Sequence, residues 1–221
     1  MKLAFRALTK FIVGLVLACA LLFLPAGGFD YPNGWLFICL LFIPMIALGI
    51  ALLVRAPKLL ERRLGAKEKE NTQKGVVAAS ALLFTVGFTV AGLDYRFGWS
   101  DMPLWCVIAA SIVLIVSYAL YAEVMRENAY LSRTVEVQSG QKVVDSGLYG
   151  IVRHPMYAVT IWLFLSIPIV LGSWWSLLCF APYLVVIVIR IGNEERVLQE
   201  GLEGYAEYKK KVKYRLFPFI Y

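Results

Sequence analysis

The segment Arg153-His154-Pro155-Met156-Tyr157 leads directly into the apolar run AVTIWLFLSIPIV, residues 158–170. Leu171-Gly172-Ser173 follows. A second apolar run, residues 174–189, then carries the chain to Arg190-Ile191-Gly192-Asn193-Glu194-Glu195. Counted with their flanking residues, the two arms have about 16–18 residues each, or roughly 25 Å at the usual rise of ~1.5 Å per residue. Gly172-Ser173 is their only connector, so the two runs predict a tight hairpin that either spans or is partly re-entrant. His154 and Glu194 then return to the same depth. The reversal gathers the sole histidine, two arginines and two adjacent carboxylates at one end of an apolar helix pair. Such a cluster is costly there unless its members are partnered or hold a ligand. Pro155 suits the first helical position, because its missing N–H is not needed there. That puts His154 at or near the N-cap, where the helix end favours an anionic group. On the returning arm Arg190 and Glu194 are four residues apart and share a face, while Glu195 points elsewhere. One glutamate can therefore pair with Arg190 while the other meets a ligand cation or ribose hydroxyls.

The rest of the chain reads the same way. Of 221 residues 60% are hydrophobic and 17% charged, and the mean hydropathy is +0.71. Soluble domains run at about 45–50% apolar. Six apolar segments, near 8–28, 34–54, 75–95, 103–125, 156–171 and 174–191, predict an all-α integral membrane fold of about six transmembrane helices. With six crossings, 21 of the 22 Lys and Arg residues fall on one side. Arg96 falls on the other, with Asp30, Asp94 and Asp101. The positive-inside rule then puts both termini in the cytoplasm. The net charge of +7 follows from that topology and from contact with anionic lipid headgroups, and gives no reason to expect nucleic acid. Met1–Gly28 reads as a span and not as a cleaved leader, because more Leu and Phe follow Cys19-Ala20. Cys19, Cys39, Cys106 and Cys179 lie in apolar segments with no metal or disulfide spacing, so they are expected to act as small buried hydrophobes. With one histidine, no metal site is expected.

The chain divides near residue 100, with N-terminal helices over 1–100 and a chemistry-bearing region over 101–221. Arg55–Lys74, which includes Lys67 and Lys69, predicts a solvated, partly helical connector with Leu59, Leu60 and Leu64 toward the lipid surface and no chemistry. Glu123 and Glu127 share a helix face and read as ordinary interfacial solvation. Ser132–Gly150, which includes Arg133, is too polar to cross and can cover something at the membrane face. Tyr205 and Tyr208 form a short stripe that reads as packing. No glycine-rich strand–turn–helix loop for a dinucleotide or phosphate occurs. A cofactor must therefore bind among the helices and loops of the second half.

The ordered set GLYGIVRHPMY, LGSWW, RIGNEERVL and GYAEYKKKVKYRLFP resembles the isoprenylcysteine carboxyl methyltransferase family of integral membrane methyltransferases. The likeness is strongest across 135–221. Gly147-Leu148-Tyr149, Arg153-His154-Pro155 and Tyr157 match the family's Gly-x-Tyr and RHPxY elements, and Glu194-Glu195 its paired glutamates. The resemblance implies a cytosol-facing pocket for S-adenosylmethionine, built by the C-terminal half. It departs at Val159, where a small residue is usual, and at Gln141, where eukaryotic members carry His.

On that resemblance Gln141, Val144, Tyr149, His154, Pro155, Tyr157 and Glu195 are the expected cofactor-binding residues. Arg190 would orient an anionic acceptor entering sideways from the bilayer, with Glu194 holding Arg190. An ionised carboxylate acceptor needs alignment and dehydration but no strong base. An amino-lipid N-methyltransferase would instead need Glu194 or Glu195 to take a proton. A membrane reductase of similar architecture would use NADPH and call for more basic residues around its phosphate. A scaffold that retains the motif without chemistry is the remaining class.

Overall fold

The structure is a computed structural model that describes residues 2–65, 71–132 and 134–221. Lys67, Lys69 and Arg133 lie outside the described residues. The chain is all-α, with α1 Lys2–Ala26, α2 Pro32–Arg55, α3 Pro57–Leu64, α4 Asn71–Phe97, α5 Leu104–Glu127, α6 Pro155–Val170, α7 Trp174–Phe180, α8 Tyr183–Gly201 and α9 Tyr205–Lys211. Among the described residues, five segments are long and apolar enough to cross a membrane: α1, α2, α4, α5 and the α7–α8 stretch Trp174–Gly201. The sixth expected span, α6, is shorter at 16 residues. The outward residues of α5 show why this is a membrane fold: Trp105, Ile108, Ile112 and Ile115 are all exposed. A helix apolar on its outer face as well as its inner one has lipid as its solvent. The chain is a multi-pass membrane protein.

Local sequence sets the helix ends. Pro57 halts α2 by forcing Ala56 out of the helical region (φ −144°) and then occupies the first position of α3. α6 starts as the sequence predicts, with His154 at the N-cap and Pro155 at the first position. Gly172 makes the reversal in the left-handed region at φ +78°, which a side chain would oppose. Ser173 caps α7 by accepting the Ser176 N–H at 2.9 Å.

The returning arm packs against α4 more than against α6. Close approach explains it. A Cβ on Gly87 would collide with the Phe180 ring, and one on Gly92 would lie 2.5 Å from the Leu22 carbonyl oxygen. Gly87 thus admits α7 on one face of α4, and Gly92 admits α1 on another. Without a hydrophobic drive between helices in lipid, such small-residue contacts are what hold helices together. Phe84 extends the seam, with its ring 4.6 Å from Phe164 and 5.1 Å from Phe180. At the hairpin turn the buried Asp94 carboxylate accepts from Ser100 N–H at 2.7 Å, Ser100 Oγ at 2.6 Å and the Ser173 hydroxyl. This ties the turn to the end of α4.

The cysteines are free, but Cys39 is exposed and the other three are half-buried. None is buried: Cys39 faces outward and Cys19 packs at the edge of the core, because outward positions here are apolar too. α3 also departs from the expected solvated connector. Leu59 and Leu60 are buried, and Leu59 packs with Val124, Met125, Leu131 and Tyr149. α3 therefore folds inward onto the second half of the chain.

Gly92→Val is expected to pry α1 from α4 and to lower stability by about 1–3 kcal/mol, the usual cost of overpacking. Thermal unfolding in detergent, read as a lowered midpoint, checks it.

Candidate active site

The centre of the site is the Glu195 carboxylate, 3% exposed. Arg153 Nε donates to it at 2.7 Å, and Arg215 Nε at 3.1 Å. His154 Nε2 lies 3.3 Å from it and Lys209 Nζ 3.8 Å. Arg153 is itself buried and also donates to the carbonyls of Val212 and Lys213, both at 2.7 Å. The backbone completes the joint. The N–H groups of Arg153 and His154 donate to the Tyr214 and Arg215 carbonyls, each at 2.9 Å. Glu195 thus fastens the tail across the start of α6. Its lone pairs are spent on cations of its own chain, as a buried carboxylate requires.

Glu194 faces the other way. The Tyr157 hydroxyl donates to it, and Arg190 Nε donates to the Tyr157 oxygen at 2.8 Å. His154 Nδ1 is 4.0 Å from Glu194. The imidazole therefore stands between the two glutamates. The expectation that Glu194 shares a face with Arg190 holds, with Tyr157 bridging them.

A cleft opens beside this cluster. Gln141, Val144, Tyr149, His154, Tyr157, Arg190 and Glu194 line it. Pro155 and Glu195 are not on its wall: one starts the helix, and the other holds the residues that are. The polar Ser132–Gly150 segment forms the opposite wall through Ser132, Thr134, Val135, Gln141 and Val143. It does cover something, as its polarity suggests. Gln141 closes a turn with Gln138, whose N–H donates to the Gln141 side-chain oxygen at 2.9 Å. Val159, at the position where the family usually has a small residue, packs behind Tyr149 and away from the cleft.

Several residues of the site escape sequence reading. Glu127 is not merely solvated: its carboxylate accepts the Leu148 N–H at 2.9 Å and presses on Gly147, where a Cβ would collide with it. That contact, with Gly147 at φ +53°, sets the turn presenting Tyr149. Asn128 Nδ2 donates to the Tyr149 hydroxyl at 3.0 Å, and the Tyr208 hydroxyl donates to the Tyr149 carbonyl at 2.7 Å. Tyr205 lines the cleft, and its hydroxyl is buried without a hydrogen-bond partner among the described residues. Burial, then the charges of Glu195 and Glu194, push this phenol well above its ordinary pKa. It stays protonated and is a donor awaiting an acceptor.

A second chamber, of about 550 Å³, lies among α2, α4, α5, α6 and α8. Its walls are largely apolar, including Leu41, Met45, Val76, Phe84 and Leu163. It shares Ser132, Met156, Tyr157 and Arg190 with the cleft. Arg63, carried in by α3, lines its polar end, bonded to the Tyr121 hydroxyl and, at 3.1 Å, to the Ser132 carbonyl. No Asp or Glu among the described residues lines this chamber.

Fold and site define a multi-pass membrane protein in which a polar cleft abuts an apolar intramembrane chamber. Residues 105–203 match the model of the phospholipid methyltransferase family. A Delta(14)-sterol reductase of Mus musculus is 31% identical over 99 residues, covering 40% of this chain and 22% of the reductase. The uncharacterized protein YpbQ of Bacillus subtilis (strain 168) is 30% identical over 97 residues, covering 43% of this chain and 58% of that protein. This chain thus spans well under two thirds of either relative's length. The solved eukaryotic intramembrane Ras methyltransferase ICMT, an isoprenylcysteine carboxyl methyltransferase, superposes with a TM-score of 0.47 at 18% identity, covering 85% of this chain and 74% of that one.

Glu195→Ala would leave Arg153 buried with an unpaired charge, a change that costs about 3–5 kcal/mol in buried pairs. The variant is expected to unfold at lower temperature and to be cut faster by trypsin within Lys209–Lys213. An unaltered cleavage rate would show that the tail is held by other means.

Proposed function

We propose that this protein is an S-adenosylmethionine-dependent methyltransferase acting on a lipophilic, membrane-embedded acceptor that bears a carboxylate. The observation that carries this reading is the shared wall: Tyr157 and Arg190 belong both to the polar cleft and to the apolar chamber. A water-soluble donor and a lipid acceptor can meet there and nowhere else along the two cavities.

The cleft suits the cofactor in its donor set. It offers an unpartnered buried phenol at Tyr205, an anionic side chain at Glu194, an imidazole at His154, and apolar surface at Val135, Val144 and Leu198. Glu194 would face the cationic part of the cofactor, and His154 with the N-terminus of α6 its carboxylate. Gln141 and Val144 would line the adenine side, with Tyr149 and Tyr205 supplying further contacts. Pro155 and Glu195 would act by fixing His154. Bound there, S-adenosylmethionine supplies an electrophilic methyl group to an oxygen approaching in line. Arg190, assisted by Arg63 at the polar end of the chamber, would orient the acceptor's anionic group. The chamber walls exclude water from that oxygen.

The state of the two glutamates favours an oxygen acceptor over an amine. Amine methylation needs a base, whereas Glu195 is saturated by Arg153, His154 and Arg215 and Glu194 already accepts from Tyr157. The family name keeps an aminophospholipid acceptor as the second reading. The likeness to a sterol reductase makes NADPH the alternative ligand to test. The same reading puts both termini in the cytoplasm, where the cofactor is available.

Calorimetry is expected to show binding of S-adenosylmethionine and none of NADPH, with binding lost in His154→Ala. Tyr205→Phe should weaken binding by about threefold to tenfold, the worth of one hydrogen bond. NADPH binding in place of S-adenosylmethionine would overturn the reading. Labelled methyl transferred to a membrane extract should be released by mild base as methanol, as from an ester. A base-stable label would identify the amine acceptor instead.

A further inference from the structure

A third cavity, of about 780 Å³, opens between the α2–α3 corner and the end of α5, sharing Tyr130 with the cleft and no lining residue with the apolar chamber. Arg55, Lys58, Arg62 and Arg126 line it, and no Asp or Glu among the described residues does. Its floor includes Leu52, Leu59 and Met125. Arg126 is bound to Glu123, Nε to carboxylate at 2.7 Å, so its charge is matched. For Arg55, Lys58 and Arg62 no carboxylate partner occurs among the described residues. Arg62 donates to the Ala129 carbonyl at 2.6 Å and lies 6.0 Å from the Tyr130 ring centre, contacts that aim the guanidinium without neutralising it. Arg55 and Lys58 are exposed and have no hydrogen-bond or ion-pair partner among the described residues.

Three such cations above an apolar floor, where an apolar helix ends, constitute a two-part recognition surface. A free inorganic anion would satisfy the cations and leave the floor unused. A neutral lipid would do the reverse. We propose that this cavity binds one membrane phospholipid of net negative charge, its phosphate against Arg55, Lys58 and Arg62 and an acyl chain along Leu52, Leu59 and Met125. Basic pockets between membrane helices are suited to such headgroups. The bound lipid would lie against α3 on the side away from the acceptor chamber, since Arg62 faces this cavity and its neighbour Arg63 faces that chamber. α3 would thus be held from one side by a resident lipid and would present Arg63 on the other.

Native mass spectrometry of the purified full chain tests this without donor or acceptor, so its outcome is independent of the methyl-transfer reading. The probes are phosphatidylglycerol and phosphatidylcholine with the same acyl chains. One phosphatidylglycerol should be retained at least about tenfold more tightly than phosphatidylcholine, given the contribution of each basic residue near a headgroup. The combined variant R55A/K58A/R62A should lose that preference. R55K/R62K, which keeps the charges, should preserve most of it and guards against misfolding as the cause. K210A/K211A, which removes exposed tail charge clear of Glu195, should leave it unchanged. Glycerol 3-phosphate at equal concentration should not displace the lipid. Equal retention of the two lipids, an undiminished preference in the alanine variant, loss of the preference in the tail variant, or displacement by glycerol 3-phosphate would each overturn the proposal.

Discussion

The site depends on one buried carboxylate. Glu195 sits on α8 and draws Arg153 and His154 from the start of α6 and Arg215 from the tail onto its two oxygens. A lone anion at this depth would be untenable, and so would the buried Arg153 without it. Together they form a closed set of charges linking three segments far apart in sequence. The arrangement fixes His154 from behind, lays Tyr205 and Tyr208 along the cleft, and leaves Glu194 free to face the opposite direction. The two glutamates therefore divide the work: one binds the chain to itself, and the other faces the space a ligand would fill.

That division relies on close packing elsewhere. His154 and Glu194 share a depth because Gly172 and Ser173 turn the chain tightly, and the turn holds because Asp94 accepts Ser100 and Ser173 together. The arms reach α4 because Gly87 and Gly92 leave room for Phe180 and for the backbone of α1. In lipid, where apolar burial offers little drive for association, these contacts determine which helices lie side by side. The apolar chamber is what remains between helices so placed, which is why it adjoins the cleft.

Residue spacing revealed the part of the site that is local or returns by simple geometry. His154 as N-cap, Pro155 as first helical residue, and Glu194 beside Arg190 all follow from helix periodicity and hairpin length. Contacts set by tertiary folding were not legible. Arg63 reads as one basic residue among many in a connector, and only the inward fold of α3 brings it to the chamber. Glu127 reads as solvated because its partners, Gly147 and the Leu148 N–H, lie twenty residues on across an irregular segment. Tyr205 reads as packing because periodicity cannot show that its hydroxyl lacks a partner. The cysteines illustrate the reverse error: apolar surroundings predict burial in a soluble protein, but here the outer surface is equally apolar.

The same geometry bears on the chemistry such a site can support. Arg153, His154 and Arg215 surround Glu195, and Glu194 accepts the Tyr157 hydroxyl, so the cleft has cations and donors in place and its carboxylates already engaged. A nucleophile that must first lose a proton would have to pass it to a group already engaged in the site, such as Glu194 or His154. An oxygen that already carries its charge would not. Arg190 and Arg63 at the boundary of the chamber, with no acidic residue among the described residues along its walls, would attract such an oxygen and repel a cationic headgroup. Under the proposed reading, the electrostatic pattern would select the acceptor by charge and the apolar walls by solubility.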